Sequence, residues 1–340
     1  MYVRSAICLA LGCFLLADTA SAAKKKPKKE PLEETQALDL PDAPPQAVVA
    51  SSDHLVFHVS PLSAKGLLSQ QIRDAVKALR NSTKGAQIVK IRAFVVGSGD
   101  MRRVPAIVSE IFSDKRQPLP AVSVIQAGAL PLDGAQVVLE SISVNKKVVN
   151  PAGLGFVSGQ APATLQAAIG DMEPRAITCF VASFDQMNDL RSKMAADYPK
   201  AATNYVQLRR DTLGDFVSCE ATAALASAPA QNVEFRKSAV VVGPGKIVLT
   251  GTQLAFGAGQ QDIRLAFGRM EKALSSVGAK LADVLATRFY PLSNGAAESV
   301  RKVRSEFYNA KKAPAETLLV FEGLPSHDAL FGMEVITTGK

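Results

Sequence analysis

Hydrophobic and polar positions follow two periods along this chain, and the two alternate in the same order three times. His54–Ser60 (HLVFHVS) is a β-rich run of strand length. Leu68, Ile72, Ala75, Val76 and Leu79 then recur three or four apart, the spacing of one helix face. Residues 88–97 (IVKIRAFVVG) are nearly all apolar, as a central strand would be. Val104, Ile107, Val108, Ile111 and Phe112 mark a second helical face, with Pro105 tolerable in its first turn. A strand pair over 119–144, interrupted by a Leu-Pro turn, closes the series.

The order strand, helix, strand, helix, strand, strand returns in shorter form: a strand at 153–160, a short helix in 163–172, a strand at 176–183, a helix at 187–198 and a pair over 200–225. The third pass is the fullest. Residues 238–253 read as a hairpin around Gly243-Pro244-Gly245. A helix follows with Ile263, Phe267, Met270 and Leu274 on one face and Gly278 as its stop. A central strand in 281–293, a helix with Val300, Val303 and Phe307, and a pair over 313–338 complete it. The expected fold class is α+β, built from three tandem units at 53–146, 147–228 and 235–340. Each is a mixed sheet with two helices on one face. The three open sheet faces are expected to bury one another, so the chain is expected to be a monomer.

Residues 1–22 have the pattern of a cleavable secretory signal: Arg4, an apolar run from Ala6 to Ala17, and Ala20-Ser21-Ala22, with cleavage after Ala22. A lipoprotein reading at Cys13 is the second possibility. The apolar run is too short to span a bilayer, so no transmembrane segment is expected. Residues 23–52, Pro-rich and charged at their start, read as a disordered linker. The expected location is periplasmic or secreted. Only Cys179 and Cys219 remain after cleavage, both on strands; a bridge between them is possible, but cross-strand geometry often strains one, and two buried free thiols are the expectation.

The formal net charge of +8 is spread along the chain without a basic stripe, which excludes nucleic acid as the expected partner. His54, His58 and His327 have no Cys or carboxylate at metal-ligand spacing, so no metal is expected, and no cofactor motif is present.

The repeats resemble the RidA (YjgF-type) family of reactive-intermediate imine/enamine deaminases. The resemblance rests on Thr250-Gly251-Thr252-Gln253, Pro314-Ala315, Leu324-Pro325 and Glu334 in the third unit. The second unit adds Ser158-Gly159-Gln160 and Glu220-Ala221. The first adds Pro120-Ala121, Leu130-Pro131 and Glu140, with Val59-Ser60-Pro61 in place of the Gly turn. The resemblance implies a trimer fused into one chain, a chorismate-mutase-like fold and active sites in the clefts between units. It implies a cleft formed from Glu140, Glu220, Glu334, Ser158, Gly159, Gln160, Thr250, Gly251 and Thr252. The family's substrate anchor is an Arg after Pro-Ala; Val122, Thr203 and Glu316 stand there instead, Thr203 located by counting back from Glu220. Val122 cannot bind a carboxylate, and Glu316 would repel one. For the three glutamates two readings stand side by side: water-holding in the cleft, or structure at a unit interface. The functional expectation is a non-catalytic, exported pseudo-trimer that takes a small ligand or a protein partner. The alternative is a residual imine/enamine deaminase.

Overall fold

The computed structural model describes residues 42–340 apart from Ser98, Gln186 and Leu213. The signal segment 1–22 and most of the expected linker therefore lie outside the described residues.

The linker's end is a strand. Ala47–Ser51 form β1. The first unit follows as β2 (Leu55–Val59), α1 (Leu68–Ser82), β3 (Gln87–Val95), α2 (Arg103–Ser113), β4 (Ala121–Gln126) and β5 (Val137–Val144). The second comprises β6 (Leu154–Gln160), α3 (Pro162–Ile169), β7 (Glu173–Val181), α4 (Met187–Asp197), β8 (Ala202–Gln207) and β9 (Val217–Ala224). Then come β10 (Val233–Phe235), β11 (Ala239–Val242), β12 (Lys246–Thr250), β13 (Gln253–Ala255), α5 (Gln260–Ser275), β14 (Val284–Pro291), α6 (Asn294–Phe307), β15 (Ala315–Leu318) and β16 (Phe331–Thr338).

These strands make three mixed sheets, ordered β2-β5-β3-β4, β10-β11-β6-β9-β7-β8 and β1-β12-β16-β14-β15, with β13 also on β16. In each, the two strands joined by a crossover helix run parallel and the remaining neighbours antiparallel. Each central strand also carries one unopposed residue at the same place, Val89, Arg175 and Leu285, a bulge that bends the strand. The same irregularity at one position in three sheets is strong internal evidence of a repeated α+β unit.

The expected hairpin at 238–253 does not form. β11 pairs with β6 of the second sheet, whereas β12 lies between β1 and β16 of the third. Burial explains the separation. Ala239 and Val241 pack under the helices of the second unit, while Val248 packs under those of the third. Two strands that bury one face against different helical layers cannot share a sheet, so Gly243-Pro244-Gly245 is a crossing between sheets. β1 does for the third sheet what β11 does for the second.

Each sheet buries one face under its own helices, and the opposite faces meet. Between the sheets lie an aliphatic cluster including Leu55, Phe156, Ile247 and Ile336, and an aromatic one in which Phe94, Phe180 and Tyr290 surround Phe321.

The expectation of free thiols is also corrected. Cys179 on β7 and Cys219 on β9 are direct cross-strand partners with Cα atoms 4.0 Å apart, and they form a disulfide. Strand parity placed both thiols toward the helices, and they are there; the register that sets them opposite each other was missed. The bridge staples the unit whose first helix, α3, is only eight residues long.

Candidate functional site

One polar residue from each of three adjacent strands lines up across every sheet. The rows are Ser123, Arg92 and Glu140; Asn204, Thr178 and Glu220; and Thr317, Arg288 and Glu334. They face away from the helices and converge where the sheets meet. The second row has Thr178 where the others have Arg, which leaves three carboxylates facing two guanidiniums. Lys90 restores the balance. It stands two residues before Arg92, where Ala176 and Ala286 occupy the matching positions.

The bonding follows from that asymmetry. Lys90 Nζ donates to Glu334 Oε2 at 2.7 Å, to Ser123 Oγ at 2.6 Å and to the Thr250 carbonyl at 2.5 Å. Arg92 spans from Glu140 to Glu220 with contacts of 2.6 and 2.7 Å, reaching over the side chain of Thr178. Arg288 Nε donates to Glu220 at 2.6 Å and its Nη1 to Glu334 at 3.3 Å. Thr178 and Asn204 donate to Glu140, Tyr290 donates to Glu334 at 2.9 Å, and Ser123 also bonds Glu334.

Burial opposes the ionisation of Glu334, but Lys90, Arg288 and Arg92 outweigh it and hold the carboxyl well below the usual range. Glu220 shifts the same way: burial resists, and Arg288 and Arg92 prevail. For Lys90 burial wins over Glu334 and lowers the ammonium's pKa. A cavity of about 50 Å³ adjoins the network, and Arg92 Nη1, buried beside it, has no hydrogen-bond partner among the described residues. That is the size and polarity that suits bridging water.

Strand register makes Val122, Thr203 and Glu316 equivalent, each one residue before its polar row. All three sit on the helix side of their sheets. Val122 packs among the apolar side chains under α1 and α2, and Glu316 pairs with Arg304 of α6. Ser158 Oγ accepts the Glu316 backbone N–H at 3.0 Å, which joins the second unit to the third. Gly159 lies against Ser218: a Cβ there would stand 2.7 Å from its Oγ. Gln160 turns its amide back to the Gly159 carbonyl. At another junction a Cβ on Gly251 would stand 3.0 Å from the Val122 carbonyl.

The Gly motifs are offset by one residue. Val157 lies opposite Ala221, and Thr250 bonds Val335 at the matching place, so Ser158 corresponds to Gly251 and Gly159 to Thr252. Thr250 and Thr252 point into their own unit's surroundings, both hydroxyls buried. The structure thus gathers Glu140, Glu220 and Glu334 with one another, and Ser158 and Gly159 with the backbone of Glu316. Glu334 reaches the Gly251 junction through Ser123, next to Val122, and through Lys90, which also bonds the Thr250 carbonyl. Lys90, Arg92 and Arg288 were missed in the sequence, although charged residues inside the apolar runs IVKIRAFVV and VLATRFY were a usable signal.

Among the described residues no group of three His, Cys, Asp or Glu side chains is placed to hold a metal ion, and no helix is long and apolar enough to cross a membrane.

No protein-family description matches the chain, and no curated protein matches it. Similarities to solved structures each cover part of it. A member of the YjgF family from Mycobacterium tuberculosis is 26% identical over 27% of this chain and 78% of its own, with a TM-score of 0.26. An uncharacterized protein from Pseudomonas aeruginosa is 17% identical over 32% and 90%, with a TM-score of 0.26. A YjgF-family protein from Neisseria meningitidis is 15% identical over 29% and 84%, again with a TM-score of 0.26.

Proposed function

We propose that this chain is a RidA-like single-chain pseudo-trimer that works outside the cytoplasm as a non-catalytic binding module. Its inter-unit junctions take a small ligand or a protein segment. The observation that carries the reading is the state of the anchor position. Val122, Thr203 and Glu316 are equivalent by strand register, none is cationic, and the charge of Glu316 is already matched by Arg304. A substrate carboxylate would meet an apolar, a neutral or an anionic side chain at the three sites, and a desolvated carboxylate needs a bidentate or paired cation. The glutamates point the same way. Each is bonded to cations and hydroxyls of the network, which supports an interface role for these residues. Export is supported by the signal-like residues 1–22 and agrees with a disulfide.

A second reading, residual imine deaminase, has one observation in its favour: Arg304 brings a guanidinium beside the anchor position of the third unit. Ammonia release from freshly generated 2-iminopropanoate separates the two. The wild-type chain is expected to match the uncatalysed rate, as is Glu316→Ala, which frees Arg304. Acceleration by the wild type overturns the non-catalytic reading.

A further inference from the structure

The junctions between units are closed in two places and open in the third. At the end of β4, the Gln126 N–H donates to the Gly323 carbonyl at 2.8 Å and its own carbonyl accepts from the Glu322 N–H at 3.1 Å. At the end of β8, Gln207 makes the same antiparallel pair of bonds, donating to Ala129 at 3.1 Å and accepting from Gly128 at 3.0 Å. The register puts Val320 in the corresponding place, three residues beyond its polar row, and Arg209 and Arg210 in the place of the partner loop. No such bridge joins Val320 to that loop among the described residues. The loop's bonds go elsewhere: the Arg210 N–H to the Glu322 carboxylate at 2.9 Å, and Arg209 Nη1 to the Leu292 carbonyl at 2.6 Å.

The sequence differs at the same place. The two loops that close carry Leu-Pro after the bridging residue, and Leu130 and Leu324 are buried in the aromatic cluster between the sheets. The second unit has Asp211-Thr212 there, and Asp211 points outward in a pair with Arg209. No Leu-Pro stands at these two positions, and a groove of about 660 Å³ lies beside the loop. Leu318 and Val320 line it from the third unit, Ala297 from α6, and Leu208, Arg209 and the half-exposed Phe216 from the second unit.

We infer that this groove is a docking site for an extended peptide of a partner protein, one carrying a small residue followed by Leu-Pro. The occupant is argued from the molecule itself. At both closed junctions the same strand edge is covered by Gly323-Leu324-Pro325 or Ala129-Leu130-Pro131, so the free N–H and carbonyl of Val320 want the same antiparallel backbone. The leucine would enter the groove beside Phe216. This names the partner class for the binding-module reading and can fail without it, since peptide binding and imine hydrolysis are separate measurements.

The test is fluorescence anisotropy of a labelled peptide with the sequence of residues 322–326, Glu-Gly-Leu-Pro-Ser, titrated with the full chain. Saturable binding is expected. Changing the peptide's leucine to aspartate should weaken it roughly tenfold or more. The double variant Asp211→Leu with Thr212→Pro should close the groove and weaken binding by at least that factor. Phe216→Ala, at a half-exposed site, should weaken it as well. No saturable binding up to millimolar concentrations overturns the proposal, and so does equal binding by the groove-closing variant or by the aspartate peptide.

Discussion

Lys90→Met tests the charge count where the three sheets meet. Methionine keeps most of the apolar stem, so the change removes a charge without opening a large cavity. It leaves Arg92 and Arg288 to balance Glu140, Glu220 and Glu334, so a buried carboxylate loses its closest cation. Removing one partner of a buried pair costs about 3–5 kcal/mol, large against a typical total of roughly 5–15. Ser123 and Tyr290 still donate to Glu334, which puts the expected loss at the lower end, about 3 kcal/mol. Pairing the change with Glu334→Gln returns the network to two cations and two anions. The double variant should then be more stable than additive losses allow, by about 1–3 kcal/mol. Urea unfolding at pH 7, followed by far-ultraviolet circular dichroism, reads both numbers. A Lys90→Met loss below about 1 kcal/mol, or a strictly additive double variant, would refute the balance argument.

The same network sets the acid behaviour. Glu220 and Glu334 have carboxyls lowered in the folded state, so their contribution is full above the ordinary carboxylate range and is lost as pH falls toward the folded values. Denaturation midpoints should therefore climb from pH 3 to pH 6, roughly the range where unfolded carboxyls titrate, and a flat profile would count against it. The Cys179–Cys219 bridge closes a separation of 40 residues, and replacing both with alanine should cost about 4 kcal/mol in oxidising buffer. A loss of only a few tenths would mean the bridge adds nothing. Glu316→Ala breaks a partly exposed pair with Arg304 and should cost no more than about 1 kcal/mol, read by the same urea unfolding. A larger loss would show that the pair holds α6 in place.

Most of the architecture was legible because it is written in periodicity. The helix faces at Leu68–Leu79 and Ile263–Leu274 and the apolar runs of β3 and β14 are local signals, and they folded as read. Partner choice between strands is not local. β11 and β12 look like two arms of a hairpin, and only the helical layer each one packs under assigns them to different sheets. β1 was hidden for the same reason, a five-residue strand with no partner near it in sequence. The repeated glutamates were visible, but their neighbours were not. Lys90 matters because Thr178, in another unit, lacks a charge, and no window of sequence contains both. The open junction was half visible, since Leu-Pro occurs at 130–131 and 324–325 and is missing at 211–212.

The three sheets of this one chain cover one another. Each sheet's second face is already buried against the other two, through the ion network and the aromatic cluster around Phe321. Multi-angle light scattering across a dilution series tests this directly. The expected result is the mass of a single chain, no more than 35.9 kDa, at every concentration. A stable trimer of chains that persists on dilution would contradict it, because the faces that such a trimer needs would then have to be open.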